Sequence, residues 1–94
     1  ADQEDHNSMG WHSALRARQV ATNVEAILAL EALGAAQGID LLAPLKPGRL
    51  TGEAQAAIRE MVPTLDHDRV LEPEIQAAIE LLRSGRLAEI GARA

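Results

Sequence analysis

Ninety-four residues, 47% hydrophobic and 24% charged, make at most one small domain, and a net charge of −5 with no basic stripe argues against a nucleic-acid partner. The chain has no cysteine, which excludes disulfides, thiolate nucleophiles and zinc–thiolate sites and fits a cytoplasmic setting. No run of 18 apolar residues is present, so no membrane-spanning helix is expected, and the first residues lack the basic-then-apolar order of a signal peptide. Position 1 is Ala, not Met, and the chain reads as part of a longer protein.

The first ten residues crowd polar groups together: Gln3, Glu4, Asp5, His6, Asn7 and Ser8 precede Met9 and Gly10. A long, alanine-rich helix pattern follows. A polar cluster at the mouth of a buried helix is where bundle enzymes keep their sites. Helix one is expected over 8–36 or 8–37, with Asn7 or Ser8 as N-cap and Gly38 as its stop. From Val24 to Ala36 its only charges are Glu25 and Glu31. Val20, Val24, Ile27 and Leu28 share one side, and Leu15, Leu30 and Leu33 another. A helix that is apolar nearly all round is a buried helix.

Pro44, Pro47 and Gly48 break the pattern in the loop 39–50. Helix two then starts with Thr51 as N-cap and Glu53 in the first turn, where a carboxylate suits the helix dipole. Its core stripe is Ala54, Ala57, Ile58, Met61 and Val62, and Pro63 ends it. A polar turn covers 64–72. Helix three carries Pro73 at its first position and a stripe of Ile75, Ala78, Ile79 and Leu82, with Ser84 and Gly85 as its stop. Residues 86–94 form one more turn or fray. No strand and no internal repeat is read.

The expected class is therefore all-α: one long buried helix plus two shorter C-terminal helices, with 1–94 a single helical segment of a larger bundle. One mismatch supports the last point. Helix one is about 43 Å long at 1.5 Å per residue, while helices two and three span about 18 Å each. A compact domain of this size has a radius of gyration near 12 Å. The short helices cannot cover the long one, so its Leu and Val surface must meet other segments of a larger protein or copies of this chain.

Glu4 and Asp5 are adjacent, about 100° apart on a helix, so they are not an acid/base pair facing one substrate. Glu4 alone can act as a base or hydrogen-bond acceptor if a bundle partly desolvates it. Alternatively, both are first-turn carboxylates complementing the dipole. His6 and His12 are six apart and share no face for a metal. Asp66, His67, Asp68 and Arg69 read as a polar turn rather than a ligand set. Met9 and Trp11 read as packing residues, Ser8 as a cap, and Ser13 has no evident catalytic partner.

Three stretches in this order add a resemblance: QEDHNSMG from Gln3, AAQGIDLL from Ala35, and VPTLDHDRVLEPEIQAAIELLRSG from Val62. Together they resemble the C-terminal part of the histidine ammonia-lyases, of the aromatic amino acid lyase family, over about residues 3–87. The resemblance implies a mostly helical homotetramer with a central bundle of long helices, each active site drawing on three subunits. It implies a methylidene-imidazolone electrophile, made from an Ala-Ser-Gly tripeptide, that helps ammonia leave histidine to give urocanate. Glu4 stands at a family active-site position, with Gln3 beside it in substrate binding. Histidine lyases tend to carry Glu there, and phenylalanine and tyrosine lyases Gln. A carboxylate can hold a polar imidazole, whereas a neutral amide suits a phenyl or phenol ring. Asn7 stands where many histidine lyases have Val and some phenylalanine lyases Asn.

Two departures qualify this. The chain contains no Ala-Ser-Gly and no Tyr, so the electrophile and the family's catalytic tyrosines are expected in another part of the parent. The expectation is a segment of a cytoplasmic histidine ammonia-lyase that supplies Glu4 and Gln3 but does not catalyse alone. It has no metal or cofactor of its own. Its partners are the rest of the parent or copies of itself, with no nucleic acid and no membrane. The alternatives are a segment of a tyrosine or phenylalanine ammonia-lyase, or a stand-alone, non-enzymatic helical oligomerisation module.

Overall fold

One helix of 40 residues, α1 (Asp2–Leu41), runs the length of the molecule. The structure, a computed structural model, describes the backbone of residues 2–64 and 72–94, and the side chains of 9–64 and 72–94. Three short helices follow: α2 (Arg49–Met61), α3 (Glu72–Arg83) and α4 (Arg86–Ala92). No strand occurs among the described residues, and the chain is all-α. No helix among them is long and apolar enough to cross a membrane.

The helix ends depart from the sequence reading in ways that local chemistry explains. α1 starts at Asp2, not near Ser8, because acidic residues in a first turn suit the positive end of the dipole. It runs through Gly38, which stays right-handed; the one glycine with positive φ is Gly85, at 81°. α1 stops only before Pro44, where the Leu42 and Ala43 amides turn back to the Ile39 and Asp40 carbonyls at 3.1 and 3.2 Å. α2 begins three residues earlier than expected. Gly48 (φ −62°, ψ 170°) is its N-cap with no side-chain cap, and Thr51 lies inside the first turn. α3 begins at Glu72, with Pro73 still in the first turn, where a missing N–H costs nothing. Gly85 in the left-handed conformation ends the α3 segment, and the Ser84 hydroxyl accepts the Arg86 amide at 3.2 Å. The tail from Arg86 is a helix rather than a frayed turn.

The short helices all lie along the C-terminal half of α1. Ala26, Ala29, Ala32, Leu33 and Ala36 form its packed stripe at three- and four-residue spacing. One cluster joins Ala29 to Ala78 and Ile79 of α3, with Ile75 and Leu82 at its edge. A second joins Ala36 to Ile58 of α2 and Leu81 of α3, with Leu87 beside it. Ala29, Ala36, Ala57 and Ala78 are all buried, and side chains this small let the helices lie close. Leu81, absent from the expected stripe, is the buried leucine of α3, while Leu82 packs at the margin. Of the expected stripe of α2, Ala57, Ile58 and Val62 are buried, whereas Met61 is 44% exposed.

The stretch of α1 from Met9 to Val24 is left bare. At 1.5 Å per residue a helix of this length spans about 60 Å, and the longest molecular dimension is 66 Å. The radius of gyration is 18.1 Å, against about 12 Å for a compact chain of this length. Every side chain from Met9 to Val24 is exposed. The expected burial of helix one is therefore met along a single stripe of its C-terminal half.

Ion pairs tie the packed half together. Glu25 of α1 meets Arg83 of α3, Asp40 of α1 meets Arg59 of α2, Glu60 of α2 meets Arg86 of α4, and Glu53 of α2 meets Arg93. Hydrogen bonds from Arg83, Arg59 and Arg86 hold the carboxyls of Glu25, Asp40 and Glu60 below their ordinary values of 4.5, 3.8 and 4.5. Each group thus binds its proton less readily folded than unfolded. The stability these pairs give is complete above the ordinary carboxylate range and is lost as pH falls through the lowered folded values. Thermal melts from pH 7 downward are expected to hold steady until that range and then fall. Arg83→Gln should flatten part of the acid limb. A melting temperature that rises on acidification would contradict this arrangement.

Candidate functional site

Gln3 and Glu4 lie in the first turn of α1; their side chains, with those of Asp5, His6 and Ser8, fall outside the described residues. Helical register puts position 4 in line with positions 8, 11 and 15. The first α1 residue packed in the hydrophobic core is Ala26, 22 residues on and about 33 Å along the axis. No part of α2, α3 or α4 reaches that distance. Every described side chain of α1 before Glu25 is exposed, so no described residue of α2, α3 or α4 walls a pocket beside that stretch.

The nearest described groups bear this out. Met9 and Trp11 are 67% and 66% exposed. Met9, His12, Ser13 and Arg16 outline a shallow hollow of about 400 Å³ on α1 alone. His12 lies beside Ser13 in that hollow, but neighbours on a helix point about 100° apart and no hydrogen bond joins the two, so nothing activates Ser13 as a nucleophile. Asp66, His67, Asp68 and Arg69 lie outside the described residues, and among those described no three His, Asp or Glu side chains converge on a metal position. A second cleft of about 300 Å³ lies between α2 and α4, lined by Glu53, Ala56, Arg86, Glu89, Ile90 and Arg93. Both of its arginines are already engaged in ion pairs.

The densest polar constellation among the described residues centres on Asp40, which the sequence reading passed over. Its carboxylate accepts from Gln55 Nε2 at 2.7 Å, Arg59 Nη2 at 2.6 Å and Nε at 3.0 Å, and Thr64 Oγ1 at 3.0 Å. Arg59 Nη1 also donates to the Val62 carbonyl at 3.0 Å. Both carboxylate oxygens are occupied, so the cluster acts as a joint between α1, α2 and the chain after α2. One signal was present. A carboxylate in the last turn of a helix opposes the dipole, and α1 has no basic residue there to offset it. Such a residue needs a cation from elsewhere, and Arg59 supplies it.

Fold and site define a helical segment whose longest helix ends in a polar cluster and whose packing surface is unfinished. The sequence profile of the aromatic amino acid lyases matches residues 1–60. Over 87 residues, 93% of this chain, the sequence is 51% identical to a histidine ammonia-lyase of Anaeromyxobacter sp. (strain K). It is 49% identical over the same share to the histidine ammonia-lyases of Anaeromyxobacter dehalogenans and Symbiobacterium thermophilum. The chain spans 17% of the length of each of these relatives. No solved structure matches it. The chain belongs to the aromatic amino acid lyase family.

Proposed function

We propose that this chain is the C-terminal helical segment of a histidine ammonia-lyase, which eliminates ammonia from L-histidine to give urocanate. The observation that carries this reading is the identity of about half of all residues with histidine ammonia-lyases across nearly the whole chain. In this reading Glu4 accepts a hydrogen bond from the substrate imidazole or takes up a proton during elimination, and Gln3 lines the same site. The bare stretch of α1 from Met9 to Val24 supports it, since a helix carrying such groups at its start needs neighbours to enclose a substrate. Those neighbours are other segments of the parent and other copies, in a cytoplasmic homo-oligomer. Asn7 keeps a tyrosine or phenylalanine lyase as the second choice of substrate class.

The family's methylidene-imidazolone does not fit onto these residues. The one Ser-Gly pair, Ser84-Gly85, follows Arg83 rather than Ala, and the Ser84 hydroxyl is bonded to the Leu81 carbonyl at the end of α3. No step through that group is assigned to this chain. The pure 94-residue chain is accordingly expected to form no urocanate from histidine, measured by near-ultraviolet absorbance. Turnover by that material would sink the proposal.

A stand-alone association module is the rival reading, and the open apolar surface of α1 favours it equally. An upstream Ala-Ser-Gly in the same reading frame separates the two.

A further inference from the structure

The cleft between α2 and α4 has a frame that the lyase reading does not use. The ion pairs Glu53–Arg93 and Glu60–Arg86 set the two helices antiparallel, with Arg93 at the C-cap of α4. That register places Ala56 across from Ile90. The two ion pairs brace the helices two turns apart, about 10 Å along the axis. Between the braces the buried Ile90 faces only the methyl of the exposed Ala56, and a hollow of about 300 Å³ remains.

The charges around this hollow are incompletely matched. Glu89 lies three residues after Arg86 and four before Arg93, the spacings at which side chains on one helix meet. Both arginines reach across to α2 instead, and Glu89 makes no hydrogen bond or ion pair among the described residues. Arg93 engages Glu53 through Nη2 alone, which leaves its Nη1 and Nε open, along with Oε1 of Glu53.

The rim therefore offers carboxylate acceptors and guanidinium donors within about one helical turn. A simple anion there would meet Glu89, and a simple cation would meet Arg93, so each is repelled by part of the rim. An α-amino acid carries an ammonium and a carboxylate on one carbon and matches both. The volume lies at the lower end for small-molecule sites, which suits one amino acid rather than a nucleotide or a peptide. We propose that this cleft binds a free α-amino acid as its zwitterion. Arg93 takes the carboxylate, Glu89 and Glu53 take the ammonium, and the side chain lies over Ala56 and Ile90. None of these residues has a part in the lyase reading, which stands whether or not the cleft binds.

The test is titration of the isotope-labelled 94-residue chain with L-phenylalanine and with L-histidine, followed by the amide NMR shifts of Ala56, Glu89 and Ile90. Exposed ion pairs are individually weak, so saturation is expected in the millimolar range. The tighter of the two ligands names the source: histidine would make this a second site for the proposed lyase's own substrate, and phenylalanine a site for another amino acid. N-acetyl-L-phenylalanine and L-phenylalanine methyl ester, which each lack one of the two charges, should bind at least several-fold more weakly than phenylalanine. Arg93→Gln and Glu89→Gln should each weaken binding roughly fivefold. Ala56→Leu should abolish it by filling the hollow. All three positions are exposed, and circular dichroism checks that the variants keep their helices. No saturation at tens of millimolar, equal binding of the singly charged analogues, or full binding by a helical Ala56→Leu variant would each overturn the assignment.

Discussion

Replacing Glu4 by Gln in the intact lyase that carries this segment is expected to lower histidine turnover roughly ten- to a hundredfold while the assembly stays whole. Gln keeps the shape and one acceptor oxygen but removes the charge. Hydrogen bonds to charged groups are worth about 1.5–3 kcal/mol, and each 1.4 kcal/mol is about tenfold in rate if the contact tightens in the transition state. The structural cost is small, because a first-turn carboxylate contributes only about 0.3–1 kcal/mol against the dipole. The readout that separates the two roles is substrate dependence. If Glu4 holds the imidazole, histidine turnover falls while turnover of phenylalanine or tyrosine does not fall in step. Unchanged histidine kinetics would return Glu4 to the role of a helix-start carboxylate. High tyrosine or phenylalanine activity in the unmutated enzyme would move the substrate assignment to the second choice.

Leu81→Ala is expected to be the most damaging single truncation in the packed half. Leu81 is 5% exposed and closes the cluster with Ala36 and Ile58 where three helices meet. Truncating a buried leucine costs about 2–5 kcal/mol, part transfer and part cavity. A chain of this length has about 5–14 kcal/mol in total at the usual per-residue stability. The loss is therefore a large share, and at about 4–8 °C per kcal/mol the melting temperature should drop by about 8 °C or more. Leu30→Ala is the control: Leu30 is 49% exposed in this chain, so its truncation is expected to cost within about 0.5 kcal/mol. Equal effects at the two positions would mean that α3 does not pack as described.

Much of this was legible in the sequence because helical periodicity is a strong signal over long segments. Ala57, Ile58, Ala78 and Ile79 were read as core and are core. The helix ends were legible only where one residue type dictates the backbone. Gly85 needs a left-handed conformation and marks a real stop, whereas Gly38 sits in an ordinary helical conformation and marks none. Leu81 and Leu82 are neighbours 100° apart, and which of them is buried depends on where α2 lies, which no local pattern records. Asp40 was missed for the same reason, since its partners Gln55, Arg59 and Thr64 are 15, 19 and 24 residues away. The reading that α1 outruns its cover needed only lengths, and the structure bears it out. Gln3 and Glu4 were singled out by residue type and by family resemblance. Helical spacing adds that position 4 sits about 33 Å along α1 from Ala26, the first residue packed in the core.

The most direct test of the lyase assignment is the intact mass and peptide map of the polypeptide as cells make it. The expected result is a chain several times the mass of these 94 residues, with an Ala-Ser-Gly tripeptide upstream of Gln3 in the same polypeptide. A polypeptide that begins at or just before Ala1 and carries no Ala-Ser-Gly would contradict it and leave the stand-alone helical module.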